Sequence, residues 1–208
     1  MSMLRGQTAF FENVQAVRVP FKQGVIATLR AGDLVSLTGE VYTGRDQTHR
    51  RLMALLDAGL PLPVDLAGQL LYYVGPSPAR PGQVIGAAGP TTSYRMDAYT
   101  SRLLELGLTA TLGKGARSRE VRTAMVRHGA VYLAAVGGAG AYLSKCVRKC
   151  DLVAFADAGP EAMFRLEIEN FPAVVINDLQ GGDYYEQVAL SELRIQNSEF
   201  RINEKETT

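Results

Sequence analysis

Residues 89–118, GPTTSYRMDAYTSRLLELGLTATLGKGARS, contain two Gly-bearing turns, each followed by a segment with helical apolar spacing. Gly89 and Pro90 punctuate the chain just after the apolar run Val84–Ala88. Thr92 or Ser93 is then expected to cap a helix whose apolar face is Met96, Tyr99, Leu103, Leu104 and Leu106. After Gly107, the run Leu108–Leu112 reads as a short buried strand. Gly113, Lys114 and Gly115 turn the chain again, and Ser118 is expected to cap a second helix with Glu120 in its first turn. Two consecutive strand–turn–helix units bring two helix N-termini towards one sheet edge. Thr91, Arg95, Lys114 and Arg117 lie in or beside those turns, where hydroxyls and cations meet small anions. The pattern points to a carboxylate or phosphate site, although each turn taken alone also reads as an ordinary capped turn or a solvated basic loop. Neither a Walker phosphate loop nor a dinucleotide fingerprint is present, and Gly137–Gly140 lacks the spacing for the latter.

Upstream, Val14–Val19 reads as an edge strand ended by Pro20. Val25–Leu29 and Leu34–Tyr42 read as further strands. Asp46 is a fair N-cap for a helix carrying Leu52, Leu55 and Leu56 and stopping at Gly59. That puts Arg45 at a helix N-terminus, where a cation is unfavourable unless an anion faces it. It is otherwise a surface arginine. Gln69–Val74 is a short apolar strand, and residues 75–82 form a stiff connection too short for a domain linker.

Downstream, Val131–Val136 is a buried strand, and the glycine run at 137–140 opens a helix through Leu143 and Val147. Cys146 and Cys150 fall four apart on that helix. Leu152–Phe155, Met163–Ile168 and Ala173–Ile176 read as strands, the last two joined by a turn at 169–172. His128, before Gly129, is a helix-end residue that favours the dipole. One α/β domain over residues 13–196 is expected, with a mobile arm at 1–12 and a polar tail at 197–208.

The 208-residue chain is 47% hydrophobic with a net charge of +1, which suits one core and argues against an extended nucleic-acid surface. No run of about 18 apolar residues is present, so no membrane span is expected. The N-terminal stretch lacks the features of a secretory signal, and two cysteines suit a reducing cytoplasm.

Four separated pieces, TGRDQTHRRL at 43–52, GPTTSYRMDAY at 89–99, KGARS at 114–118 and LEIENFPAVVINDLQGGDYY at 166–185, occur in an order that resembles the C-terminal half of class I fumarases. The same half occurs as the beta subunit of two-chain fumarases and of L(+)-tartrate dehydratase. The resemblance implies a swivelling β/β/α domain and an iron–sulfur hydro-lyase of the tricarboxylic acid cycle, here reversibly hydrating fumarate to L-malate. It implies that Arg45, Arg95 and Lys114 bind substrate carboxylates and that Thr91 acts in proton transfer. Arg117, His49 and Thr92 stand second: Arg117 either reaches the anion or pairs with an acid, and His49 supports Arg45 by packing or hydrogen bonding.

The family's 4Fe–4S cluster is ligated by three cysteines of the other half. The resemblance therefore implies an alpha-type partner subunit that carries the cluster, with no metal ligand set on this chain. The interface that half a site leaves open predicts a homodimer when the chain is alone. Ala116 stands where fumarases commonly have Asn, and Gly182 where the late turn commonly has Asn. The intact K-G-x-R-S favours a fumarase, with tartrate and mesaconate dehydratases as alternatives. A non-catalytic anion-binding scaffold is the reading from another class.

The chemistry of these residue types is consistent with this. Two arginines and a lysine can clamp both ends of a small dicarboxylate. A threonine hydroxyl becomes useful as a base only where cations and a dry site favour its alkoxide character.

Overall fold

The computed structural model describes residues 14–22 and 24–192, so the expectations for the 1–12 arm and the 197–208 tail lie outside the described residues. Strand β1 (Gln15–Val19) pairs in parallel with β2 (Leu34–Thr43) at the sheet margin, as its alternation suggested. Strands β3 (Leu70–Tyr72), β4 (Ala110–Gly113) and β5 (Val131–Ala134) follow β2 in parallel order. The long strand β7 (Met163–Asn177) runs antiparallel to both β5 and β2. Strands β2, β3, β4, β5 and β7 therefore close on themselves, and β6 (Val147–Ala154) pairs with the outer part of β7.

Closure gives each central strand two buried faces, which explains why β3 and its extension are apolar without interruption. Leu70, Tyr72 and Val74 point into a cluster enclosed by the strands, with Leu37, Leu112, Leu133 and Phe171. Leu71 and Tyr73 point outward into a second cluster under the helices. That layer is formed by α2 (Asp46–Asp57), α3 (Asp97–Glu105) and α4 (Arg119–His128), which contribute Leu52, Leu103, Leu104, Val121 and Met125. Ser118 caps α4 as expected, its hydroxyl accepting from the Val121 N–H at 3.3 Å, and α4 ends at His128 before left-handed Gly129. None of the helices among the described residues is long and apolar enough to cross a membrane.

Several local expectations are corrected. Residues 25–29 do not form a strand: Val25–Thr28 is a single helical turn, α1, which buries Ile26. This β-branched run instead serves the core as one turn that sends Ile26 and Leu29 into the same cluster.

The helix opened by the 137–140 glycines, α5 (Gly140–Leu143), stops before Val147. Cys146 therefore ends a 3-10 turn and Cys150 lies on β6, not on one helix with it. Burial raises both thiol pKa values.

Residues 163–177 are one strand rather than two. Asn170 takes a left-handed φ of 51°, so the apparent turn is a bulge. It survives because β2 spans it on one edge, while β6 and β5 pair end to end along the other. Residues 184–192, given no element from the sequence, are helical.

Candidate active site

The two turns of residues 89–118 do meet at one sheet edge. Past Tyr73, strand β3 gives up its place beside β4 to residues 91–93. Thr91 N–H donates to Tyr73 C=O at 2.6 Å, Lys114 N–H donates to Thr91 C=O at 3.2 Å, and Ser93 N–H donates to Lys114 C=O at 2.8 Å. Thr92 and Lys114 are thus parallel bridge partners, and Thr91 and Lys114 sit on neighbouring rungs. The approach requires Gly113, because a Cβ there would lie 2.0 Å from the Ser93 hydroxyl. Thr91 is half-buried and Lys114 exposed.

The helix after this rung starts differently from the expectation. Ser93–Met96 is a 3-10 turn leading into α3, and neither Thr92 nor Ser93 makes a side-chain cap. The Ser93 hydroxyl instead meets the Tyr132 hydroxyl at 2.9 Å, and Tyr132 also donates to Gly115 C=O at 2.8 Å. Tyr132 thereby braces the Lys114 turn from beneath. On the apolar face of the segment, Met96, Leu103 and Leu104 are buried, while Leu106 is 43% exposed.

Arg45, not Asp46, occupies the N-cap of α2, in extended geometry and without a capping side chain. Asp46 turns its carboxylate to Arg95, accepting from Nη2 at 2.5 Å. The anion at this helix start is Glu161, whose Oε2 accepts the Gln47 N–H at 2.9 Å and whose Oε1 lies 3.6 Å from Arg45 Nη2. The expected anion facing Arg45 is thus an internal carboxylate. It meets the helix N-terminus and the cation together. It does not saturate the guanidinium: Arg45 Nε is buried without a partner. Arg45 also packs against Gly75, where a Cβ would come within 2.6 Å of Nη1. Sequence reasoning missed Glu161 and Gly75. Glu161 is far away in the chain, and Gly75 reads locally as part of an ordinary proline-rich turn.

His49 is fully buried under Arg45. Its Nδ1 lies 2.7 Å from Arg45 C=O, and its ring packs on Tyr73 and Tyr99. A carbonyl only accepts, so Nδ1 carries the proton and Nε2 is left as a buried acceptor without a partner. Burial pushes the His49 pKa down to about 4, so the ring is neutral.

Of the two roles open to Arg117, the structure takes the ion pair. Its side chain is wholly inaccessible, with Nε on Asp97, Nη1 on Thr111 and Nη2 on Thr100. It does not reach the edge where Thr91 and Lys114 lie.

The donor set does not fit a 4Fe–4S cluster, which takes about three or four thiolates. This chain has two cysteines, and among the described residues no group of three His, Cys, Asp or Glu side chains gathers as a metal site. The backbone thus brings Thr91 and Lys114 to neighbouring rungs, and Asp46 links Arg95 to the helix start that carries Arg45.

Comparison with known proteins shows the family. The family described as Fumarase C-terminus matches over residues 6–188. The chain is 38% identical over 156 residues to fumarate hydratase class I, anaerobic, of Escherichia coli (strain K12), covering 74% of this chain and 28% of that protein. A putative fumarate hydratase class I of Geobacillus stearothermophilus is 37% identical over 185 residues, 86% of this chain and 35% of its own length. A putative L(+)-tartrate dehydratase subunit beta of Methanocaldococcus jannaschii is 37% identical over 169 residues, 78% of this chain and 87% of its own. The chain spans little more than a third, at most, of the two fumarate hydratases and most of the length of the tartrate dehydratase subunit. With an α/β sheet closed as described and a family match across nearly all of the described residues, this chain belongs to the fumarase C-terminal family.

Proposed function

We propose that this chain is the carboxylate-binding and proton-transfer half of a hydro-lyase that hydrates fumarate reversibly to L-malate. In this reading it works as a beta subunit with an alpha-type partner that carries a 4Fe–4S cluster. The observation that carries the reading is the join of residues 91–93 to Lys114. Backbone hydrogen bonds hold Thr91 and Lys114 on neighbouring rungs, with Arg95 three residues beyond Thr92, the bridge partner of Lys114.

Hydration puts a hydroxyl on one alkene carbon and a proton on its neighbour, and each of those carbons bears a carboxylate. In the dehydration direction, the proton leaving carbon shifts negative charge onto the attached carboxylate. Arg45, Arg95 and Lys114 hold the two carboxylates and stabilise that charge through charge-assisted hydrogen bonds. Thr91 exchanges the proton at the reacting carbon, its hydroxyl made more acidic by the neighbouring cations. His49 remains neutral and fixes the Arg45 backbone. Thr92 lies at the bridge opposite Lys114 and shapes the turn.

Around this edge Tyr94, Val136 and Tyr142 are between 59% and 65% exposed, a composition that suits a surface covered by a partner.

Anaerobic co-expression with a cluster-bearing subunit, followed by assays on fumarate, L-malate, mesaconate and L(+)-tartrate, tests the proposal. The expected result is co-elution of the two chains, with hydratase activity highest on fumarate and malate and no activity from this chain alone. Turnover by the isolated chain, or failure of the two chains to associate, overturns the half-site reading. Preference for tartrate replaces the substrate and keeps the rest.

A further inference from the structure

Resting on the reading of Arg45 and Arg95 as carboxylate-binding residues, we infer that Asp46 is a positioning residue that sets the spacing of the two guanidiniums and so selects a four-carbon diacid. Arg45 and Asp46 are consecutive at the start of α2, and Asp46 holds Arg95 Nη2 at 2.5 Å. One short carboxylate therefore ties the arginine of the 3-10 turn to the helix that presents the other arginine. Each end of the tie has further contacts. The 3-10 turn is anchored to β4 by the 91–114 rungs, and Arg45 lies against Gly75 and beside Glu161.

A free arginine side chain samples many rotamers, and ordering it costs up to about 2 kcal/mol. The Asp46 bond removes much of that freedom before a ligand arrives while using only one of the five guanidinium N–H donors. With side-chain exposures of 40% and 17%, the Arg95–Asp46 pair is close to the surface, where such pairs add little stability. Its consequence is placement: two forks at a set separation accept two carboxylates at a matching separation and bind a single carboxylate through only one fork. An aspartate is also the shorter of the two acidic side chains, so the tie has a defined reach.

The test is NMR titration of the full-length chain, with arginine Nε–H resonances followed against succinate, glutarate and propionate. Wild type is expected to bind succinate more tightly than glutarate or propionate. Asp46→Asn keeps the size but loses the charge, and the succinate-to-propionate preference is expected to fall by about tenfold, the scale of one charge-assisted hydrogen bond. Asp46→Glu keeps the charge with one more methylene, and the preference is expected to move from succinate towards glutarate. Unchanged preferences in both variants, with succinate binding still lost in Arg45→Lys and Arg95→Lys, overturn the inference alone. Succinate binding that survives both arginine substitutions overturns the proposed carboxylate site, and the role of Asp46 with it.

Discussion

Arg117 and Asp97 form an ion pair inside the protein, Nε to Oδ1 at 2.7 Å, that locks the turn after β4 onto the first residue of α3. The guanidinium is also held between the rings of Tyr73 and Tyr132, with its carbon 5.4 Å and 5.1 Å from their centroids. The second oxygen of Asp97 accepts the Ser118 N–H at 2.7 Å. Both site-bearing turns are therefore referenced to one buried charge pair.

Removing one partner leaves an uncompensated charge in the interior. Arg117→Met is expected to destabilise the fold by about 3–5 kcal/mol, read as a lower urea midpoint with an unchanged m-value. Arg117→Lys cannot reproduce three separate guanidinium contacts and should recover only part of that loss. A midpoint within experimental error of wild type in both variants contradicts the structural role.

His49 supplies a pH signature. Its folded pKa of about 4 lies below the ordinary 6.5, so between those values the unfolded chain binds a proton that the folded chain does not. Stability from this group is complete above pH 6.5 and is lost as pH falls towards 4, by up to roughly 3 kcal/mol. His49→Asn retains a donor for Arg45 C=O but does not titrate. Wild type minus variant, measured by urea denaturation across pH 4–7, should show this slope, and a flat difference would argue against a neutral buried imidazole.

Gly75→Ala probes Arg45 without replacing it. The new Cβ would lie 2.6 Å from Nη1 and 2.7 Å from Cδ, so the guanidinium must move. Gly75 does not require a positive φ, and the fold should tolerate the change. The expected outcome in the assembled enzyme is a KM raised about tenfold, with kcat falling less. An unchanged KM would mean that the position of Arg45 does not matter to the ligand.

Thr91→Val and Thr91→Ser separate chemistry from turn geometry. The Thr91 backbone makes the hydrogen bonds to Tyr73 and Lys114, and both variants keep them. If the hydroxyl moves the proton, the valine variant should lose roughly 10²–10⁴-fold in kcat with little change in KM. The serine variant should retain far more activity. Equal kcat values in the two would leave Thr91 a residue of the turn alone.

The sequence by itself determined the order of the main elements and the meeting of two turns at one edge. It did so because Gly113, Gly115 and Ser118 encode their turn and cap locally, and because β3 and β4 are apolar enough to be central strands. It also contained four family segments in order, from Thr43 to Tyr185. Tertiary structure alone decided the rest. Val25–Thr28 became a helical turn that buries Ile26 in the core, and Met163–Asn177 became one strand because neighbours on both edges bridge its bulge. Arg117 was drawn inside by Asp97 and two tyrosine rings, while Arg45 acquired Glu161 and Gly75 from distant parts of the chain. Local pattern specifies turns and apolar faces, since those depend on near neighbours. Which charge meets which, and which cation stays free for a ligand, depends on contacts that exist only once the sheet has closed.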